Sequence, residues 1–188
     1  MTRQRKRQIS VICLTASLFL AASAVAQTAS AAGPTLAQTI GWLQNNLLGQ
    51  SFTETQTLNA ANSSRYDESK YQAKTTEVKV NCQSLTTTVH SIFTYSIKGQ
   101  IDPNETRQTD LSAFIPIGTV EIVGYGESQV QLRCQFQQSC INTIGSWTGH
   151  APTSSASDQI VLGAGSPAMA KRTINAFKYL QQLCAAQQ

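Results

Sequence analysis

The sequence predicts an α+β protein in which an antiparallel β meander of about six or seven strands, curled or rolled into a half-barrel, packs with one N-terminal and one C-terminal helix. Segments 35–48 and 167–185 carry apolar residues at spacings of three and four, which indicates amphipathic helices. The chain between them consists of short runs rich in β-branched and aromatic residues, separated by Gly, Pro, Asn and Asp. That pattern is typical of antiparallel strands.

The ends of both helices carry capping signals. Thr35 and Gln38 fit a capping box at the start of the first helix, and Gly49 is a suitable stop because glycine readily takes the left-handed conformation. Ser166 and Pro167 fit the N-cap and first position of the second helix. The apolar faces of both helices are expected in the core; their residues are Leu36, Ile40, Leu43 and Leu47, flanked by Trp42, and Met169, Thr173, Phe177, Leu180 and Cys184.

Strands are predicted throughout the middle of the chain. An edge strand is expected near 51–58, and the segment 149–157, GHAPTSSAS, is interpreted as a loop because it is rich in Gly, Pro and Ser. The remaining strand-like runs are KTTEVKVNC (74–82), LTTTVHSIFTYSIKG (85–99), QTDLSAFIP (108–116), TVEIVGYG (119–126), SQVQLRCQF (128–136), CINTIGSW (140–147) and DQIVLG (158–163).

The first 31 residues have the composition of a cleaved secretory signal peptide. A basic start precedes the apolar stretch 9–20, and A-x-A cleavage sites end at Ala26 and Ala31. A membrane anchor is disfavoured because spanning takes about 20 apolar residues. We therefore predict a signal at 1–31, with an alternative cut after Ala26, and a single exported domain at 32–188, periplasmic or secreted, with no transmembrane segment after cleavage. The basic residues are Arg3, Arg5, Lys6 and Arg7.

The charge balance argues against a nucleic-acid partner. The whole chain has 14 basic and 10 acidic residues, but four of the basic residues lie in the predicted signal. The exported domain is therefore close to neutral. Without a basic stripe it has no general attraction to nucleic acid or anionic lipid.

Four cysteines remain after the predicted cleavage, which suggests two disulfides in an exported chain. Three pairings are possible. Cys134 and Cys140 bracket a short connection between two strand-like runs, so they could close a hairpin and leave Cys82 to pair with Cys184. Four free thiols are the alternative, and no C-x-x-C spacing indicates a metal site.

Two stretches imitate known binding motifs. VLGAGSPA (161–168) contains G-x-G-x-x-A, but no acidic residue follows Asp158 and the chain ends too soon for a dinucleotide-binding unit. DPNETRQTD (102–110) alternates oxygen-bearing residues like a calcium loop, but Arg107 and Ala113 stand where Gly and Glu are required. We expect a strand-to-helix corner and a hairpin turn, with no cofactor and no metal.

No catalytic residues are expected, although a hydrolase set can be drawn from His150, Ser146 and Asp158. The chain lacks a G-x-S-x-G elbow and an oxyanion motif. The loop GSWTGH (145–150) is nevertheless the best place for ligand contact, because Trp147 could form an exposed aromatic platform. Packing of Trp147 in the core is the favoured interpretation.

These observations favour an exported, non-enzymatic domain that binds a ligand or a protein partner of unknown identity. One alternative is a small hydrolase that uses His150 and Ser146. Another is a structural subunit of a cell-envelope assembly, which would require an exposed apolar patch.

Three stretches resemble small exported bacterial proteins that have no assigned activity. They are a TLxxTxxWLxxxL helix at 35–47, a DLS strand entry at 110–112 and an AxxxxxAxxxLxxLC helix at 170–184. The order of elements is also similar to that of pleckstrin-homology-type barrels, where a C-terminal helix plugs a curled sheet. The resemblance covers most of the exported domain and implies a fold, but no catalytic residue. It implies no lipid binding either, since no basic phosphoinositide loop stands in the first hairpin region.

Overall fold

The computed structural model describes residues 33–58, 65–147 and 150–187, and the predicted signal peptide lies outside them. The fold class is α+β, as predicted, with one N-terminal and one C-terminal helix around antiparallel strands. The described elements are α1 (Leu36–Leu47), β1 (Ser51–Thr57), β2 (Glu68–Val80), β3 (Ser84–Ile97), β4 (Gln100–Ile101), β5 (Arg107–Pro116), β6 (Val120–Tyr125), β7 (Gln129–Cys134), β8 (Ile141–Trp147), β9 (Thr153–Ser157), β10 (Gln159–Gly163) and α2 (Pro167–Ala185).

Both helices form where the capping signals predict them. The Gln38 amide N–H donates to the Thr35 hydroxyl at 3.3 Å, while the Thr35 amide N–H donates to the Gln38 side chain at 2.8 Å. Gly49 has a φ of 77° just after α1. The Ser166 hydroxyl accepts from the Met169 amide at 3.2 Å at the start of α2. These contacts satisfy amide groups that a helix terminus otherwise leaves unpaired.

The strands form two antiparallel sheets. The larger has seven strands in the order β1-β2-β3-β5-β8-β9, with β4 beside β3, and it is not closed. The smaller has the order β10-β7-β6. The path is therefore a meander only as far as β5. Pro116 ends β5, and a buried turn at Ile117 carries the chain into the second sheet before β8 returns to pair with β5.

One stretch interpreted as a loop is a strand. Residues 153–157 form β9 and pair with β8, with Gly145 opposite Thr153 and Ile141 opposite Ser157. The sequence TSSAS gave no alternation of apolar and polar residues because all but the last of its side chains are exposed. The backbone of β8 supplies the pairing, which local composition does not reveal.

A single buried cluster joins both sheets and both helices. Helix α2 packs against β6 and β7, and α1 packs against α2 and β2. The buried face of α2 repeats at spacings of three and four, as predicted, and α1 contributes Leu43 and Leu47. The largest fully buried side chains are Phe177, Leu43, Leu47, Leu85, Ile115, Ile117, Ile122, Leu132, Ile141, Leu162, Leu180 and Val120.

Two disulfides connect the pairs that the cysteine spacing favours. Cys82 joins Cys184 with a Cα–Cα distance of 5.3 Å, which ties the end of β2 to the last turns of α2. Cys134 joins Cys140 at 5.7 Å and closes the connection from β7 to β8. Disulfides are typical of proteins that fold in an oxidising environment. Neither helix in the described ranges is long and apolar enough to cross a membrane.

Candidate functional site

A large cleft opens at one end of the larger sheet. We call it the end cleft; it has a volume of about 770 Å³. Because neighbouring strands run antiparallel, the start of β5, the end of β8 and the start of β9 all meet at this end. The residues that line the end cleft are Thr106, Arg107, Gln108, Trp147, His150, Ala151 and Thr153.

Trp147 is the main apolar group of the end cleft. Successive side chains of a strand point to opposite faces, so Trp147 lies on the same face as Gly145. A methyl group on Gly145 would sit 3.7 Å from Trp147 Nε1, so the indole folds back over this glycine. The expectation that Trp147 is a core residue is wrong, since 42% of its surface is exposed. Burial along β8 stops at Gly145, where the sheet extends beyond the core.

The charged groups of the end cleft are basic. Arg107 is largely exposed, and its only ion pair among the described residues is a 3.7 Å contact with Glu105. An exposed pair of this kind contributes about 0–1 kcal/mol. His150 adds an imidazole, and the described residues of the lining include no carboxylate. The end cleft therefore combines an aromatic surface with an available guanidinium, which suits aromatic, apolar or anionic groups.

A second, smaller cleft of about 360 Å³ adjoins the end cleft and shares Gln108, Trp147 and His150 with it. Here His90 on β3, Asp110 on β5 and Ser146 on β8 stand directly opposite one another in one row. His90 Nδ1 lies 2.8 Å from Asp110 Oδ1. Sequence patterns did not predict the His90–Asp110 pair because the register of β3 and β5 creates it.

The hydrolase candidates are only partly brought together. Ser146 and His150 line the same small cleft, but Asp158 follows β9 at its far end, about 17 Å of extended strand from Thr153. The acid beside Ser146 is Asp110, which is paired with His90. A serine nucleophile requires a base within hydrogen-bond reach. Across the described residues, no hydrogen bond joins the Ser146 hydroxyl to either histidine.

The resemblance of DPNETRQTD to a calcium loop does not extend to its geometry. Asp102 accepts hydrogen bonds from Arg65 Nη2 at 3.0 Å, from the Tyr66 hydroxyl at 3.1 Å and from the Asn104 amide at 3.0 Å. Asp110 lies on the sheet and faces His90. No cluster of potential metal ligands occurs within residues 33–58, 65–147 and 150–187. The carboxylate of Asp102 thus fastens the turn before β5 to the segment that precedes β2.

Asp102 is expected to make the free energy of unfolding depend on pH in the acid range. The Asn104 amide, assisted by Tyr66 and Arg65, lowers the pKa of Asp102 below its ordinary value. A carboxyl group with a lowered folded-state pKa stabilises the fold above its unfolded pKa of about 3.9, and this stabilisation disappears as the pH falls through the folded value. We expect Asp102→Asn to reduce the urea midpoint near neutral pH, with a difference from wild type that shrinks below about pH 4.

The control for this measurement is Glu127→Gln. Glu127 is exposed and makes no hydrogen bond or ion pair within the described part of the chain. Its substitution should leave the urea midpoint nearly unchanged at each pH. A difference between wild type and Asp102→Asn that stays constant down to the lowest pH would contradict the assigned role of Asp102.

The glycine motif at 161–168 forms a corner between β10 and α2, as predicted. The Ala164 amide donates to the Ser128 carbonyl at 2.9 Å, and Gly165 has a φ of 78°. At Gly163, a methyl group would come within 2.9 Å of the backbone carbon of Ser51. The glycines thus serve a turn and a close approach of two strands.

A third cavity, the helix groove, lies between α1 and α2 and has a volume of about 560 Å³. Trp42 and Tyr179 are its aromatic residues and Arg172 is its charged one.

Comparisons with models of known families, with curated proteins and with solved structures found no match for this chain. The interpretation of function therefore depends on the geometry of these three cavities.

Proposed function

We propose that this protein is an exported, non-enzymatic binding module that holds an aromatic or apolar side chain of a protein partner in the end cleft. The observation that carries the proposal is the exposed indole of Trp147, held over Gly145 inside an open cleft of about 770 Å³. A large apolar ring fixed in a concave site and surrounded by polar groups is typical of a binding surface.

The chemistry of the lining favours a protein partner. Tryptophan and arginine are the residues most often responsible for affinity at protein interfaces, and the end cleft places Trp147 and Arg107 together. Gln108, Thr106 and Thr153 supply hydrogen-bonding groups around them. Among the described residues, no hydrogen bond joins a base to the Ser146 hydroxyl, and we therefore prefer binding to hydrolysis.

Export is supported by two independent features. The first 31 residues have the basic start, apolar stretch and small-residue cleavage sites of a secretory signal. The two disulfides suit the periplasm or the exterior of the cell, where thiols become oxidised. A domain with equal numbers of acidic and basic residues has no general attraction to nucleic acid.

The binding role can be tested with N-acetyl-phenylalanine amide as the probe. The chain has two tryptophans, so an ¹⁵N-labelled sample shows two indole N–H signals, which Trp42→Phe assigns. We expect the signal of Trp147 to shift with a dissociation constant in the millimolar range, because a ligand of this size gains about 0.3 kcal/mol per non-hydrogen atom. N-acetyl-alanine amide is the matched control and should cause no shift.

Two outcomes would contradict the proposal. Equal shifts with both probes would show that the aromatic ring is not recognised. A shift of Trp42 alone would place the apolar site in the helix groove. The variant Arg107→Gln retains a polar, hydrogen-bonding side chain and removes the charge, so it should weaken the response of Trp147 without abolishing it.

A further inference from the structure

Phe136 is the most exposed large apolar side chain of the described residues, at 88%. It lies in the connection closed by Cys134 and Cys140, and its φ is 62°. A bulky residue rarely adopts this left-handed conformation, which carries a strain of about 1–3 kcal/mol. The disulfide-closed loop 135–139 contains no charged residue. The loop thus presents an apolar ring to solvent, and we call this ring the Phe136 knob.

Strand β9 is an unprotected edge of the larger sheet. It is the last strand in the order, and within residues 33–58, 65–147 and 150–187 no other strand pairs with its outer side. Exposed edges usually carry a charge, a proline or a bulge that prevents another strand from pairing. The five residues TSSAS of β9 contain none of these, with Pro152 before them and Asp158 after them, whereas β1 at the opposite edge carries Glu54 within the strand.

The Phe136 knob and the end cleft lie at opposite ends of β9. The knob precedes Ile141, which pairs with Ser157, and the end cleft adjoins Gly145, which pairs with Thr153. Suppose that β9 pairs antiparallel with β9 of a second copy, centred on Ser155. Ser157 of the second copy then stands beside Thr153 of the first, so each knob approaches the other copy's cleft.

The strand spacing and the length of the loop permit Phe136 of one copy to reach the end cleft of the other. In such a pairing, β9 of one copy lies two strand spacings, about 10 Å, from β8 of the other. The four residues from Cys140 back to Phe136 span at most about 13 Å. The end cleft reaches onto β9 itself at Thr153, so the ring can enter it from the side.

We propose that a second copy of this chain is the partner that occupies the end cleft. Two copies pair through β9 about a two-fold axis, and each inserts Phe136 beside Trp147 of the other. This inference rests on the proposed function of the cleft. Stacked aromatic rings and the Arg107 guanidinium favour the contact. Such an isologous arrangement is the commonest form of homodimer, and the equal numbers of acidic and basic residues after residue 31 avoid mutual repulsion.

The proposal predicts a specific pattern of dimer stability in the exported protein with its disulfides intact. Sedimentation equilibrium should show a dimer whose dissociation constant rises about tenfold or more in Phe136→Ala and in Trp147→Ala. Phe114→Ala is the matched control, because Phe114 is also exposed, at 47%, but lies on β5, which β8 separates from the β9 edge. It should leave the dissociation constant unchanged.

A second pair of variants tests the pairing of β9 with β9 of the other copy. Ser154→Lys places a charge on β9 and should weaken the dimer. Thr53→Lys places the same charge on β1, the other edge of the sheet, and should have no effect. Every altered side chain is exposed, and circular dichroism of each variant verifies that the fold is intact.

A mixing experiment tests the exchange directly. A homodimer of Phe136→Ala has no knob, and a homodimer of Trp147→Ala has no intact cleft. The mixed dimer retains one complete contact, from Phe136 of one chain to Trp147 of the other. An equimolar mixture should therefore associate more strongly than either variant alone.

The results separate this inference from the proposed function. A wild-type monomer, or a mixture no stronger than its components, would overturn the second copy as the partner. If N-acetyl-phenylalanine amide still shifts the Trp147 indole signal in that case, the end cleft binds another protein and the proposed function stands. If a dimer forms but Trp147→Ala leaves it unchanged, the knob contact is wrong, and the shift of the Trp147 indole signal with N-acetyl-phenylalanine amide again decides whether the end cleft binds another protein.

Discussion

Replacing both Cys82 and Cys184 with alanine is expected to lower the free energy of unfolding by about 4–5 kcal/mol. The bond joins residues 102 positions apart. Without it, the unfolded chain gains the conformations that closure of this long loop removes. Because Cys184 is buried in the core, the shortened side chain adds a small loss of packing. Urea unfolding followed by circular dichroism measures the change as a lower midpoint.

The second disulfide provides the control. Cys134 and Cys140 are only six positions apart, so the same model gives about 2 kcal/mol for their removal. Reduction of the wild-type protein without any substitution should cause a loss close to the sum of the two. Equal losses from the two double variants would show that loop length does not determine the stabilisation.

The pairing of the cysteines could be predicted because it depends on local spacing. Two residues that bracket a short connection between strands bring their own backbones together, and the remaining two must then pair. The helices were predictable for the same reason, since the capping residues Thr35 and Ser166 act within three positions of themselves. Interactions of this range are visible in a sequence without any knowledge of the tertiary structure.

The division into two sheets could not be predicted, because the choice of strand partner is a tertiary property. The run at 119–126 has the same composition whether it continues the first sheet or begins a second. Strand β9 shows the same limit, since its small polar side chains carry no periodic signal. Register, which decides that His90 faces Asp110, follows from the packing of whole strands.

The candidate site was found only in part. Trp147 and His150 were identified because they lie in one short segment that contains a tryptophan and two glycines. Arg107 and Thr153 were missed, since they come from the starts of two other strands that meet Trp147 only in the folded sheet. The exposure of Trp147 could not be predicted either. Alternation along β8 predicts which face of the sheet Trp147 occupies, but not where along the strand the core ends.

Gly163 belongs to a G-x-G-x-x-A motif, but a packing contact, and not a nucleotide, explains the glycine here. In a dinucleotide-binding turn the glycines make room for a phosphate. Here Gly163 ends β10 where that strand crosses the start of β1, and the nearest atoms to a methyl group would be the backbone carbon, oxygen and nitrogen of Ser51 at 2.9, 3.0 and 3.2 Å. Backbone atoms of a paired strand cannot move aside as a flexible side chain can.

Gly163→Ala is therefore expected to reduce the free energy of unfolding by about 1–3 kcal/mol, the range for an extra carbon in a packed interior. The contact lies where the two sheets meet, so relief of the overlap requires β1 and β10 to separate. Denaturant unfolding should show a lower midpoint with an unchanged slope, which indicates a change in stability rather than in the surface exposed on unfolding.

Gly41→Ala is the matched substitution, and it is expected to change the free energy of unfolding in the opposite direction. Gly41 lies inside α1, and a methyl group there meets no atom within 4 Å. Alanine in a helix interior is favoured over glycine by about 0.5–1 kcal/mol, so this variant should be more stable than wild type. If Gly163→Ala were as stable as wild type, the two sheets would have to lie further apart than the 2.9 Å approach implies. Glycine would then not be needed at this position for the packing of the two sheets.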